Sequence, residues 1–153
     1  EHHLGHLCYF NNMTRINDVS SHASPGSERF KAIGNSKMFL ADRILRLNYS
    51  VLMSEIDVVW LHDPRPHLME LSNQYDTISQ GLFYTEADNR RNIGFFYLPA
   101  RSIVLDIMGE VVKILTDKPT LWDQAVFNQV VDHAMHQKRI RDLILDRFTY
   151  MFE

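Results

Sequence analysis

Val51-Leu52-Met53-Ser54-Glu55-Ile56-Asp57-Val58-Val59-Trp60-Leu61-His62-Asp63-Pro64 is the stretch that decides how this chain is read. A dense apolar run is interrupted once, by two acids spaced two apart. The run reads as a buried strand, firmest over Val51–Ser54, and buried strands do not carry carboxylates for packing. A desolvated carboxylate costs several kcal/mol unless it is paired or bound to a cation. On extended backbone, positions i and i+2 project to the same side, so Glu55 and Asp57 face one way. Two hard oxygen donors at a strand end suit Mg²⁺ or Mn²⁺ carrying a phosphate. The plainer alternative is a chance pair of acids where a strand leaves the core.

Outward from that stretch, strands and helices alternate. Leu4–Phe10 is apolar enough for a strand, and Ser20–Gly26 is the clearest loop. Ser36–Leu47 reads as a helix with a broad apolar face of Met38, Phe39, Leu40, Ile44, Leu45 and Leu47. Asn48-Tyr49 turns the chain into Val51, and Asp63-Pro64-Arg65-Pro66 ends the strand region, because proline lacks the donor a ladder needs. A short helix is expected around His67–Leu71, then strands over Thr77–Phe83 and Gly94–Leu98. Thr85–Arg91 reads as a polar, mobile loop. Helices follow over Ile103–Leu115 and Trp122–Met135, and a last strand over Leu143–Leu145. This alternation predicts an α/β fold with a mixed, mainly parallel sheet flanked by helices. Ligands of such sheets bind beyond the carboxyl ends of strands, where Glu55 and Asp57 lie.

The bulk numbers set limits. A length of 153 residues suits one domain, residues 1–153, with a sizeable core. A net charge of -3 gives no electrostatic case for a nucleic-acid partner. The single cysteine, Cys8, cannot form a disulfide within the chain. No apolar run approaches 18 residues, so no membrane segment is expected in this piece. The chain opens on Glu1 without a signal-like segment and reads as an excised part of something longer.

With these residues in view, the chain resembles the nucleotide-diphospho-sugar transferase family, glycosyltransferases of the GT-A type that include plant cell-wall xylosyl- and arabinosyltransferases. Four stretches carry the resemblance in order. They are Lys37 with the helix leading to Leu45–Leu52; Ser54–Pro64, similar to the family's acidic metal motif and its tail; Asn92–Tyr97; and Trp122-Asp123-Gln124 with Asn128. The family usually has Asp where this chain has Glu55. By the same resemblance the chain lacks the family's first strand and helix, part of the nucleotide pocket.

The resemblance implies metal-assisted transfer of a sugar from a nucleotide-diphosphate sugar, with retention, to a glycan, protein or other hydroxyl acceptor. It implies Asp57 as direct ligand of Mn²⁺ or Mg²⁺, and Glu55 as a ribose contact or a second, water-mediated metal contact. It implies a Golgi lumenal location through an N-terminal anchor absent here. Lys37 can pair with the diphosphate, or be a solvated helix lysine. Asn92 and Gly94 can bond a sugar and admit a ligand to the backbone, or simply form a turn. Asp123 and Gln124 can stand beside the anomeric carbon as catalytic groups, or Asp123 can be a helix cap. Trp60 reads as core, and Asn128 as packing. His133, His136 and Asp132 read as a solvated helix end, since nothing completes a four-ligand site. Asn12-Met13-Thr14 and Asn48-Tyr49-Ser50 are glycosylation acceptor patterns.

Two further readings stay open. One is a catalytically silent module that binds a sugar nucleotide or a partner. The other is a metal-dependent phosphohydrolase, for which only Asp63 stands near as a nucleophile. No Gly-x-Gly-x-x-Gly exists, which argues against a dinucleotide-binding dehydrogenase.

Overall fold

The computed structural model describes residues 27–81 and 91–145. Leu4–Phe10, the Ser20–Gly26 loop, the first glycosylation pattern, the end of the expected Thr77–Phe83 strand and the Thr85–Arg90 part of the expected loop lie outside them.

The first helix, α1, spans Glu28–Arg46 and so begins eight residues before the expected Ser36. Ser27 caps it, its side chain accepting a hydrogen bond from the Phe30 N–H at 3.2 Å. Glu28 in the first turn and Arg43 and Arg46 in the last complement the helix dipole. Met38, Ala41 and Leu45 form its buried stripe. Asn48, at φ 64°, makes the tight turn into β1, Val51–Ser54. That strand has the expected bounds, but the apolar run after it is not buried. Ile56, Val59 and Leu61 are exposed, and Trp60 is only half-covered, its edge against Phe95 at 5.2 Å. Trp60 is therefore not the core residue that the sequence leads one to expect: the strand ends at Ser54 and a turn follows.

Helix α2, Arg65–Leu71, starts at Asp63-Pro64. Asp63 accepts from the Arg65 N–H at 3.0 Å and from its guanidinium. These hydrogen bonds, the side-chain ones foremost, lower the Asp63 carboxyl to about 2. Asp63 is thus an ion-paired helix start, which removes the observation behind a phosphohydrolase nucleophile.

β2 (Thr77–Gly81) and β3 (Arg91–Leu98) follow, then α3 (Ser102–Asp117), α4 (Asp123–His136) and β4 (Asp142–Leu145). The sheet order is β1-β3-β2-β4. β3 runs antiparallel to both β1 and β2, and only β2 and β4 are parallel. The α/β class and mixed sheet stand; the mainly parallel arrangement does not hold among the described residues. Only 82–90 separates β2 from β3, fewer than the dozen or more residues a parallel crossover needs.

Helices α1, α3 and α4 cover one sheet face, packing Met38, Leu45, Ile107, Met108 and Phe127 on Val51, Ile93, Phe96 and Leu98. Phe96 and Phe127 stack at 5.9 Å in the middle of this core. Helix α2 covers the other face, with Leu68 against Ile78, Phe95, Tyr97 and Leu145. Where β2 meets β3 the register shifts between Ser79 and Gln80, so Ile93–Phe95 bulge away from β2. Bulges re-aim side chains, and this one lies beside the acidic turn.

Candidate active site

Arg91 opens β3 and anchors it. It is 2% exposed and donates to Asp142 at 2.9 Å and to Asp132 at 2.7 Å. Burial pushes the Asp142 carboxyl up, against the opposing pull of the Arg91 guanidinium and the Thr77 hydroxyl. Arg91 therefore belongs to a buried ion pair and a strand, not to the polar loop expected from the sequence. Asp132 serves this network, while His133 and His136 are exposed.

β1 pairs with β3 only as far as Ser54 opposite Phe95. Beyond that point two side-chain amides of α4 bond the β3 backbone. Asn128 accepts from the Arg91 N–H at 2.9 Å and donates to its carbonyl at 3.0 Å. Gln124 accepts from the Ile93 N–H at 3.2 Å. Asn128 does more than pack: with Gln124 it stands in for a strand and fixes the bulge.

This clamp presents Asn92 and Gly94 to the turn after β1. The Glu55 N–H donates to the Gly94 carbonyl at 2.7 Å, and the Val58 N–H closes the turn on the Glu55 carbonyl at 3.2 Å. Residues 55–58 are a turn, not extended backbone, so the same-side projection of positions i and i+2 does not apply to Glu55 and Asp57. Both are exposed rather than buried. Asn92 accepts from the Gly94 N–H at 2.8 Å. A methyl group on Gly94 would stand 3.0 Å from Glu55 Oε2 and 3.1 Å from Asn92 Oδ1. Gly94 is thus needed for room.

Lys37 joins the acids. Its Nζ lies 2.8 Å from Glu55 Oε1 and 3.3 Å from Asp123 Oδ2, with 18% of its side chain exposed. It is not a solvated surface lysine. Asp123 is the first residue of α4, and the N-cap position belongs to Trp122, which makes no side-chain cap bond. Asp123 Oδ1 accepts from the Gln124 N–H at 2.8 Å, while buried Oδ2 accepts no hydrogen bond. Its 3.3 Å approach to Lys37 is a charge contact without hydrogen-bond alignment. Gly34 makes the approach possible: a methyl there would stand 3.1 Å from Asp123 Oδ2. A mid-helix glycine costs roughly 1 kcal/mol against alanine, and here it leaves space for the carboxylate. Asn35 donates to the Pro119 carbonyl at 3.0 Å and ties α1 to the loop before α4.

Lys37, Glu55, Asn92, Gly94, Asp123 and Gln124 therefore meet, from α1, the turn after β1, β3 and α4. Asp57 is on the same turn, and its carboxylate makes no hydrogen bond or ion pair with a described residue. No group of three or more His, Cys, Asp or Glu side chains among the described residues is placed to hold a metal. In donor chemistry alone the turn suits a hard cation: Mg²⁺ is commonly held by one or two carboxylates with water and substrate phosphate, and Glu55 and Asp57 are carboxylates on one exposed turn. Gly34 and Arg91 were missed in the sequence, where a lone helix glycine and a loop arginine carry no distinguishing pattern.

Residues 2–152 match the nucleotide-diphospho-sugar transferase family. The chain belongs to that family. Its relatives include the Arabidopsis thaliana arabinosyltransferase XEG113, 30% identical over 74% of this chain and 20% of that protein. Arabinosyltransferase RRA2 of the same plant is 29% identical over 73% of this chain and 33% of its own length. A UDP-galactose:fucoside alpha-3-galactosyltransferase of Dictyostelium discoideum is 26% identical over 66% of this chain and 16% of its own. The chain thus spans a sixth to a third of the length of these relatives. No solved structure matches it. In this family member no described helix is long and apolar enough to cross a membrane.

Proposed function

We propose that this site binds a nucleotide-diphosphate sugar with Mn²⁺ or Mg²⁺ and transfers the sugar, with retention, to a hydroxyl of a glycan, protein or other acceptor. The observation that carries the reading is the Lys37 ammonium held between Glu55 and Asp123. One cation among the carboxylates of Glu55, Asp57 and Asp123 leaves an excess of two negative charges, which suits a divalent ion rather than a bare diphosphate. Asp57, with Glu55 directly or through water, would hold the cation, which would supply a Lewis acid for the departing diphosphate.

The chain's own groups have separate tasks. When the bond from the anomeric carbon to the diphosphate breaks, the leaving oxygen gains negative charge. Lys37 can turn from Glu55 toward that oxygen and neutralise it. Asp123 Oδ2, buried and without a hydrogen bond, accepts a sugar hydroxyl or faces the positive charge that develops at the anomeric carbon. Asn92 offers its amide to a sugar hydroxyl, and Gly94 leaves room for the Glu55 and Asn92 side chains that meet beside it. Gln124 holds the bulge through Ile93 while its amide N–H₂ remains to meet the donor. The names of the plant relatives make an arabinosyl donor the first to test, and UDP the first nucleotide. A Golgi lumenal setting belongs to the same proposal; the exposed Asn48 turn leaves its glycosylation pattern accessible.

Calorimetric titration with UDP, in Mn²⁺ and in EDTA, tests this. Binding is expected with metal, lost in EDTA and in Asp57→Ala, and weakened less in Glu55→Ala. Equal affinity in Mn²⁺ and EDTA would refute the metal role, and no UDP binding under either condition would refute the donor site. A second reading, binding without transfer, is favoured by Glu55 itself, whose longer side chain reaches Lys37 at 2.8 Å.

A further inference from the structure

We infer that Trp122 and Phe30 form the platform on which a sugar ring of the acceptor stacks; this rests on the sugar-transfer reading above. Trp122 occupies the N-cap of α4, a position that favours Ser, Thr, Asp or Asn, and it makes no capping bond there. It also leaves 44% of its surface exposed. Neither helix initiation nor core packing explains so large an aromatic residue at this place, and a local rule broken without local gain points to function. The Trp122 edge is braced by Phe30, itself 37% exposed, with ring centroids 5.7 Å apart at 61°.

The platform adjoins the charged site through both of its elements. Trp122 is peptide-bonded to Asp123, whose carboxylate meets Lys37. On α1, Phe30, Gly34 and Lys37 stand at i, i+4 and i+7, which is one stripe of the helix. Phe30 is about 10 Å along the axis from Lys37 (seven residues at about 1.5 Å each). With the diphosphate at Lys37 and the transferred sugar beside Asp123, the next ring outward falls on Trp122.

The chemistry of the platform fits a sugar better than an apolar partner. A sugar ring has an apolar C–H face and a rim of hydroxyls. Trp122 offers an apolar ring with an indole N–H donor. The Lys31 ammonium lies 6.0 Å from the ring centroid, near enough to meet hydroxyls at the rim.

The chain has two tryptophans, so Trp60→Phe leaves Trp122 as sole reporter. In that variant, with UDP and Mn²⁺ present, Trp122 emission is followed while an arabino-oligosaccharide or a galacto-oligosaccharide is added. A saturable change is expected. In the otherwise native chain, Trp122→Ala should weaken oligosaccharide binding about tenfold, with UDP–Mn²⁺ affinity unchanged as the sign that the site is still folded; Phe30→Leu should weaken it less. Ligand-observed NMR on the unaltered protein gives the same binding without a variant. Oligosaccharide affinity unchanged in Trp122→Ala would overturn the platform, as would no oligosaccharide binding by a protein that binds UDP. Loss of UDP affinity in Trp122→Ala would also overturn it, and assign the ring to the nucleobase. Failure of UDP to bind the unaltered protein would instead strike the donor reading on which the platform rests.

Discussion

Asn128→Ala is the sharpest perturbation of the clamp that shapes this site. The side chain accepts from the Arg91 backbone N–H at 2.9 Å and from its guanidinium at 3.2 Å. It donates to the Arg91 carbonyl at 3.0 Å and to the Gln124 carbonyl at 2.9 Å. Alanine removes all of these and leaves the Arg91 N–H and C=O, both in a buried residue, without their side-chain partner. Two orphaned backbone groups at roughly 1–3 kcal/mol each give a loss of about 4 kcal/mol. Against a typical total of about 5–15 kcal/mol, that is a large share. Urea unfolding is the assay, reading the midpoint at unchanged m-value. Gln129→Ala, at the exposed neighbouring position of the same helix, is the control and should change stability by less than about 0.5 kcal/mol. A loss below about 1 kcal/mol in Asn128→Ala would refute the view that its amide replaces a missing strand.

Asp123→Asn should keep the melting temperature within a few degrees, because Lys37 retains Glu55, yet lower sugar transfer by about 10²–10³; near-native turnover would withdraw the catalytic assignment. Glu55→Asp should keep or raise turnover, and a protein inactive with either acid would favour the binding-only reading. The Asp63 carboxyl, lowered to about 2 by Arg65, should hold the start of α2 at pH above its ordinary range near 4 and release it as pH falls through about 2. An NMR titration of Asp63 reads this directly, and a midpoint near 4 would show that the Arg65 contact does not persist in solution.

Much of the fold was legible because its signals are local. Val51–Ser54 is bounded by a turn and two acids, and the apolar periodicity of Ile103–Leu115 and Trp122–Met135 locates α3 and α4 to within two residues. The start of α1 escaped because Ser27-Glu28, a good cap and first turn, follows directly on a loop-forming Pro-Gly. Strand direction escaped because alternation of elements says nothing about a strand that returns after a short connection. In the site, the acidic turn and the Trp122-Asp123-Gln124 run stood out as residue types, but burial did not follow. The apolar residues after Glu55 look like core in one dimension and are exposed in three. Arg91 and Gly34 matter through partners far along the chain, Asn128, Asp132 and Asp142 for the arginine and Asp123 for the glycine, and no local pattern records such pairings.

The residues around Lys37 come from α1, the turn after β1, β3 and the start of α4, so no single segment carries the site. It exists only while the helices and sheet are assembled. Any molecule that settles there binds the folded chain and not the unfolded one, and the two equilibria become linked. At a free concentration of one hundred times its dissociation constant, such a ligand would add about 2.7 kcal/mol to the folding free energy. Thermal melting in the presence of candidate donors would then rank them without any acceptor being known. The chain's heat resistance becomes a readout of its chemistry.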